Sequence, residues 1–380
     1  MNNQIRYHGL DALRAFAMIL GVVLHAGLFY LEGMSSELGY ESKDPDQNLN
    51  SASIGVIFSF IHLWRMPVFF LLAGFFTRLM IQKRGVINLL KNRVVRIVIP
   101  FIVGSLIYNF ILFETGSVMQ THHLWFLYDL MWMYVLIAII KLIRKPFHGT
   151  VTGQFDRFFS SPVTMLWLLV FLIPTTVVGR PFFFNWINPH VGIPGPFFVL
   201  GFSYFLIGWF LHRNTHILER LAQLWRFYIV AGSIFFAAYS VLVFILDQVL
   251  DEESLEAGLT YLVALILSPV ATLLLILGFI GATQSIFQRG SRFVSYFVDA
   301  SYWIYLFHLV VVFVIGGEII VKQTTLAPII GFSINIVLTT FVCTITYHIF
   351  VRYTPIGWVL HGRKGNLGDL KRSFLGNKSG

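Results

Sequence analysis

Long apolar runs joined by short polar connections make up almost the whole chain. Runs of about 20 residues, the length a helix needs to cross a bilayer, fall at 12–31, 54–77, 94–113, 123–140, 162–179, 196–212, 227–246, 259–282, 296–317 and 327–350. They predict an all-α polytopic membrane protein with about ten transmembrane helices. The helices occupy about 10–352, and a disordered tail follows over 353–380. The two halves show no internal repeat, and no low-complexity tract or Ser/Gly linker interrupts them. One membrane domain over 1–380 therefore accounts for the chain.

The charges between the runs sort by side. Connections on the N-terminal side carry the basic residues, among them Arg78, Lys83, Arg84, Lys91, Arg93 and Arg96, then Lys141, Arg213, Arg220 and Arg289. Opposite connections carry Glu32, Glu37, Asp44, Glu114, Asp251 and Glu318, with only Lys43, Arg180 and Lys322 against them. The positive-inside rule then puts both termini, and the tail, in the cytoplasm. A miscount of one helix would scramble this separation. Composition agrees: 57% of the 380 residues are hydrophobic and 12% charged, against about 25% charged in soluble domains.

The net charge of +9 is thus a topology signal and an attraction to anionic lipid, with no nucleic-acid partner expected. A cleaved signal peptide is the competing reading of the first run. That run is long for such a peptide, contains Arg14, and is followed by no clean small-x-small site, so it is read as an uncleaved helix. The longest outer connection, EGMSSELGYESKDPDQNLNSAS, is polar and turn-rich. A second, RPFFFNWINPHVGIPGP, is aromatic and proline-rich, more like an interfacial lid than a free linker.

Candidate chemistry comes from polar residues inside the runs, where ionisable groups are costly. Arg14 and His25 are eleven residues apart, about 16 Å along a helix and only about 20° around it. They share one face, with Asp11 a turn before Arg14. The plain reading has Arg14 snorkelling to the headgroups beside Asp11 and His25 bonding a neighbouring helix. The functional reading has this face lining a path part-way across the bilayer. In the second run His62 and Arg65 lie a turn apart, with Arg65 near mid-membrane. There it needs an anion, water, or the carbonyl that Pro67 frees.

The fourth run opens HHLWFLYDLMW. His122, His123 and Trp125 sit at the outer interface, and Asp129 lies about two turns deep, where it needs a partner or a wet cavity. In the ninth, Ser301, Tyr305 and His308 form one stripe, with His308 a turn or two from the depth of His25. No metal is expected, because no span contains an HxxxH or HxxE pair and adjacent His122 and His123 do not easily face one ion. The single cysteine, Cys343, excludes an intramolecular disulfide and a cysteine-based metal or iron–sulfur site.

Taken in order, Arg14–x10–His25, FFLLAGFF at 69–76 with basic residues after it, and HLWFL at 123–127 resemble the acyltransferase-3 family of multi-pass membrane proteins. The resemblance runs from Leu10 to about Arg352. It implies an enzyme of the bacterial inner membrane that moves acyl groups from cytoplasmic acyl-CoA to carbohydrates on the outer side. FIHLWRMPVFFLLAGFF and YFVDASYWIYLFH are similar to a branch that acts on osmoregulated periplasmic glucans and resembles a succinyltransferase. This implies succinyl-CoA, with acetyl-CoA the alternative, as donor substrate, no permanently bound cofactor, a glycan hydroxyl as acceptor, and glucan-synthesis proteins as neighbours. Many members follow the His–x–Trp of the fourth helix with a Glu-Glu pair. Here the stretch reads LYDLMWM, with only Asp129, which disfavours a typical O-acetyltransferase.

On these residues the expected mechanism has Arg14, Arg93 and Arg96 holding the phosphates of acyl-CoA. His25 takes the proton of a sugar hydroxyl, or first carries the acyl group itself. His308 or Asp129 orients His25. Arg65 stabilises the thioester oxygen or binds the free carboxylate of a succinyl group, and Asp11 steadies Arg14. His62, His123, Trp125 and Tyr305 complete the candidate substrate-binding set. The rival reading is a secondary transporter or flippase, which lacks the expected internal repeat and paired broken helices.

Overall fold

The computed structural model describes residues 7–112, 120–143, 155–179, 192, 194–249 and 254–361. The charges at Glu114, Arg144, Lys145, Arg180 and Asp251, most of the aromatic 180–196 segment, and the tail beyond 361 lie outside the described residues. The described chain is helical and contains no strand. Among the described residues, seven helices are long and apolar enough to cross a membrane. One of them, Ala52–Phe110, covers two of the expected runs, and two further runs appear as the shorter apolar helices Thr164–Val178 and Phe197–Leu211.

The chain divides into two compact units. One comprises Met1–Arg14, Leu63–Arg93 and Thr115–Gly290; the other comprises Ala15–His62, Val94–Glu114 and Ser291–Gly380. Two helices contribute to both: α1, His8–Gly27, and α2, Ala52–Arg93. The connection Arg78 to Arg96, expected as a basic loop, is instead helical on both sides of Gly85, whose φ of 78° and ψ of 170° break α2. Lysine, arginine, leucine and glutamine are good helix formers, so charge alone does not end a helix. A glycine does it here by supplying the positive φ that a side chain resists.

In the first unit backbones approach very closely. Gly74 of α2 lies against the Phe205 carbonyl, and Gly208 lies against that of Leu71. A Cβ at either would overlap backbone, so helix α6 (α3–α5 are given below), Phe197–Leu211, meets α2 through a reciprocal glycine contact. The 32-residue helices α7, Ile217–Gln248, and α8, Leu255–Ile286, use the same device, with Gly281 on the Leu221 carbonyl. Phe227, Val230, Ile234 and Phe244 of α7 stay exposed, as suits a face covered by lipid. Helix α4, Trp125–Ile143, and α5, Leu169–Gly179, complete this unit.

The second unit contains α3, Ile99–Leu106, α9, Arg292–Val312, α10, Pro328–Thr346, and a short α11, Pro355–His361. That last helix corrects the expectation of a structureless chain from 353, since Pro355 opens a turn that buries Leu360. All four π-helical segments among the described residues belong here: Val94–Val98, Ile107–Leu112, Phe313–Val321 and Tyr347–Val351. Such segments are rare and concentrate at functional sites. Val22, Ala26 and Phe29 pack with Ala300, Ile304, Val312 and Ile315 into one core, which holds α1 against α9.

Candidate active site

That core brings His25 and His308 together. His25 Nδ1 lies 2.8 Å from His308 Nε2, and the rings stack at 5.0 Å between centroids and 20° between planes. The two are in direct contact rather than a turn or two apart in depth. His308 Nδ1 lies 2.9 Å from the carbonyls of both Ile304 and Tyr305. A carbonyl only accepts, so His308 Nδ1 carries a proton and donates it. In the neutral ring Nε2 is then the acceptor, and the hydrogen bond between the histidines must be donated by His25 Nδ1. That fixes the second tautomer too: His25 Nε2 holds the lone pair. His308 is 1% exposed, whereas His25 is only half-buried. A buried ring thus orients an accessible one, the arrangement a general base or nucleophile needs.

The rest of the ninth-run stripe supports this pair through the backbone. The buried Tyr305 ring stands 6.4 Å from that of His308. Ser301 Oγ donates to the Val298 carbonyl at 2.9 Å and so bonds its own helix. In the same unit His62 stacks on Phe58 at 5.3 Å. The Arg96 carbonyl accepts from the Tyr302 hydroxyl at 2.6 Å, which ties the first π-segment to α9.

The remaining candidates belong to the first unit. Arg14 Nη2 pairs with Asp11 Oδ1 at 3.3 Å, and its guanidinium covers the Phe76 ring at 5.6 Å. Arg65 is 7% exposed, and its Nη2 points to Met66 Sδ at 3.4 Å. His123 and Trp125 are buried in the protein. Trp125 packs on Phe70 and Phe197, because α4 turns that ring inward, while Trp132 stays 43% exposed as a belt residue would. His122 holds a φ of 45°, a strained value for a side-chain-bearing residue. Asp129 is buried and makes no hydrogen bond or ion pair with another described residue. It is His308 that shares a hydrogen bond with His25. Tyr128 hydroxyl bonds Gly192 and accepts from its N–H at 3.0 Å, anchoring one described point of the aromatic segment.

One cluster was not legible beforehand. Arg78 Cζ and Lys141 Nζ both cover the buried Trp209 ring, at 5.3 and 5.5 Å. Arg213 beside them pairs with Asp156 at 2.8 Å. Asp156 is paired with Arg213, while Arg78 Nε and His212 Nδ1 are buried without a hydrogen-bond partner. Buried polar groups are normally satisfied, so this arrangement suits an anion with several acceptor oxygens. Arg93 resembles it in part: its guanidinium covers Tyr134 at 4.7 Å, and its Nε is buried and unbonded. Among the described residues, no three His, Cys, Asp or Glu side chains converge as a metal site.

Comparison with known proteins shows the family. The family model described as an acyltransferase domain matches residues 7–348. Glucans biosynthesis protein C of Escherichia coli O1:K1 / APEC is 25% identical over 401 residues, covering 94% of this chain and 95% of that protein. The protein of the same name from Escherichia coli O9:H4 (strain HS) is 24% identical over the same shares. No solved structure matches. With helices built to cross a membrane and a family match over nearly its whole length, the chain belongs to the acyltransferase-3 family and is a multi-pass membrane acyltransferase.

Proposed function

We propose that the protein transfers an acyl group, succinyl in preference to acetyl, from cytoplasmic acyl-CoA to a hydroxyl of a periplasmic glucan, working in the bacterial inner membrane with both termini inside. The observation that carries the reading is the tautomer chain ending at His25 Nε2. Nε2 takes the proton of the acceptor hydroxyl as its oxygen bonds to the thioester carbonyl carbon. The carbon–sulfur bond breaks, and the departing CoA sulfur recovers the proton from His25. His308, donating to two carbonyls and accepting from His25, holds the ring and supports the imidazolium. It is a positioning residue.

The cations about Trp209, with Arg14 and Arg93, are assigned to the phosphates of the donor. Arg65 is assigned to the negative end of the acyl group: the thioester oxygen as charge develops, or the free carboxylate of a succinyl group. The relatives' name, glucans biosynthesis protein C, favours a glucan acceptor.

The test is mass spectrometry of periplasmic glycans from three strains: gene deleted, gene restored, and gene restored as His25→Ala. A mass increment present only in the second strain supports the reading and identifies the group. Identical glycans in all three overturn the glucan assignment. Solute flux in vesicles without acyl-CoA, alongside unmodified glycans, points to transport instead.

A further inference from the structure

The polar connection after α1 forms a cavity of about 440 Å³ within the second unit. Its lining includes Ser36, Tyr40, Glu41, Gln47, Asn48 and Asn50, with no lysine or arginine. Hydrogen bonds inside the connection use Ser35, Ser42 and Gln47, and Asn48 Oδ1 accepts from the Asn50 N–H. Ser36, Tyr40, Glu41 and Asn50 line the cavity too, and their side chains are used by none of these bonds. Lys322 covers the Tyr40 ring at 4.8 Å but is paired with Glu318 at 2.9 Å. Hydroxyls, amides, one carboxylate and one aromatic ring, with no cation in the lining, suit a neutral molecule rich in hydroxyl groups better than an anion.

The cavity is also tied to the histidine pair through chain and packing. Tyr40 stands edge-on to Phe29, four residues after His25, and to Phe313, five residues after His308, at 5.4 and 5.9 Å. Gly317 of the π-segment Phe313–Val321 makes room for the Tyr40 ring, which a Cβ there would overlap. Lys43 N–H donates to the Val321 carbonyl at 3.0 Å, Gln47 Nε2 to that of Leu326 at 2.8 Å, and Ser51 N–H to that of Tyr30 at 3.0 Å. Burial, then the Glu318 carboxylate, raise the Tyr40 phenol above its ordinary pKa while Lys322 opposes them. The phenol therefore stays protonated, a standing donor. Both helices that present the histidines thus also fix the cavity wall, which preorganises it.

We infer that this cavity is the acceptor subsite, holding a neutral glucose oligosaccharide chain by its hydroxyls at the end of α1 that carries His25. The inference rests on the acyltransferase reading and adds where the acceptor binds. It is tested on the full-length protein in lipid nanodiscs with a short neutral β-glucose oligosaccharide, comparing wild type with Glu41→Gln, Asn50→Ala and Tyr40→Phe. Tyr40→Phe keeps the ring packed and removes only the hydroxyl. Calorimetric binding of the oligosaccharide should weaken about tenfold in Glu41→Gln and about fivefold in the other two, as loss of charged and neutral hydrogen bonds predicts. In transfer assays acceptor KM should rise by the same factors while donor KM does not.

Absence of oligosaccharide binding by the wild type, or equal binding by all four proteins, overturns the subsite. Binding that weakens as expected, in a protein that transfers no acyl group, keeps the subsite and overturns the enzymatic reading instead.

Discussion

Two side-chain clusters, one in each unit, treat their polar groups in opposite ways. In the second, His25, His308 and two carbonyls form an unbroken donor-to-acceptor chain, with each ring nitrogen in that chain assigned a role. In the first, Arg78 Nε and His212 Nδ1 are buried without partners, and Arg78 and Lys141 crowd one indole. A satisfied chain stores orientation. An unsatisfied cluster stores affinity, because an arriving anion supplies the acceptors that burial removed. On the proposed function, proton handling and donor recognition are then built by different physics within one chain.

The largest effect should come from breaking the satisfied chain at its end. His25→Ala should lower the transfer rate about 10³-fold, the scale of a lost general base, in an assay with acyl-CoA and a glucose oligosaccharide. A rate within tenfold of wild type would remove His25 from the chemistry. His308→Ala should cost about 100-fold in kcat, the scale for partners that orient a functional histidine, with both KM values unchanged. A merely structural role would leave the ring tautomer of His25 alone. In 15N spectra of histidine-labelled protein, loss of His308 should instead move part of the His25 population to the Nε2–H form.

Breaking the cluster should read differently. Arg78→Ala or Lys141→Ala should raise KM for acyl-CoA about tenfold, as expected for a lost charge-assisted contact, with kcat little changed. An acyl-pantetheine thioester, which lacks the phosphates, should show no such rise. An equal rise for both donors would place these cations elsewhere than at a phosphate.

What could be read beforehand follows the range of each interaction. Apolar runs and the Arg14–His25 spacing are properties of single helices, and helix geometry carries them directly. The His25–His308 bond joins residues 283 apart, so only packing of the core around Ala26, Ala300 and Ile304 decides which turns meet. Trp209, Lys141 and Arg78 come from three helices, and no local pattern marks their convergence. Between Arg78 and Arg96 the basic residues mark a connection, yet helix propensity keeps the chain wound on both sides of the break at Gly85. Trp125 shows the same limit, since which way its helix turns, and so which neighbours bury it, is not written in the local pattern.

The smallest effect should fall on Asp11, and it separates a lone ion pair within one helix from a cluster with buried, unbonded donors. Its bond to Arg14 spans one helical turn at 3.3 Å, with the two side chains 15% and 37% exposed. Partly exposed pairs of this kind contribute about 0.3–0.5 kcal/mol, because water screens them and ordering two side chains offsets much of the attraction. Asp11→Asn keeps the shape and removes only the charge. It should therefore change donor KM by less than about threefold, which corresponds to about 0.6 kcal/mol, and salt should shrink even that. The Arg78 effect should survive the same salt better, since its guanidinium Nε is buried. If Asp11→Asn matches the tenfold change of Arg78→Ala, Arg14 is not held by a weak pair at the edge of the helix, and Asp11 belongs with the residues that touch the donor.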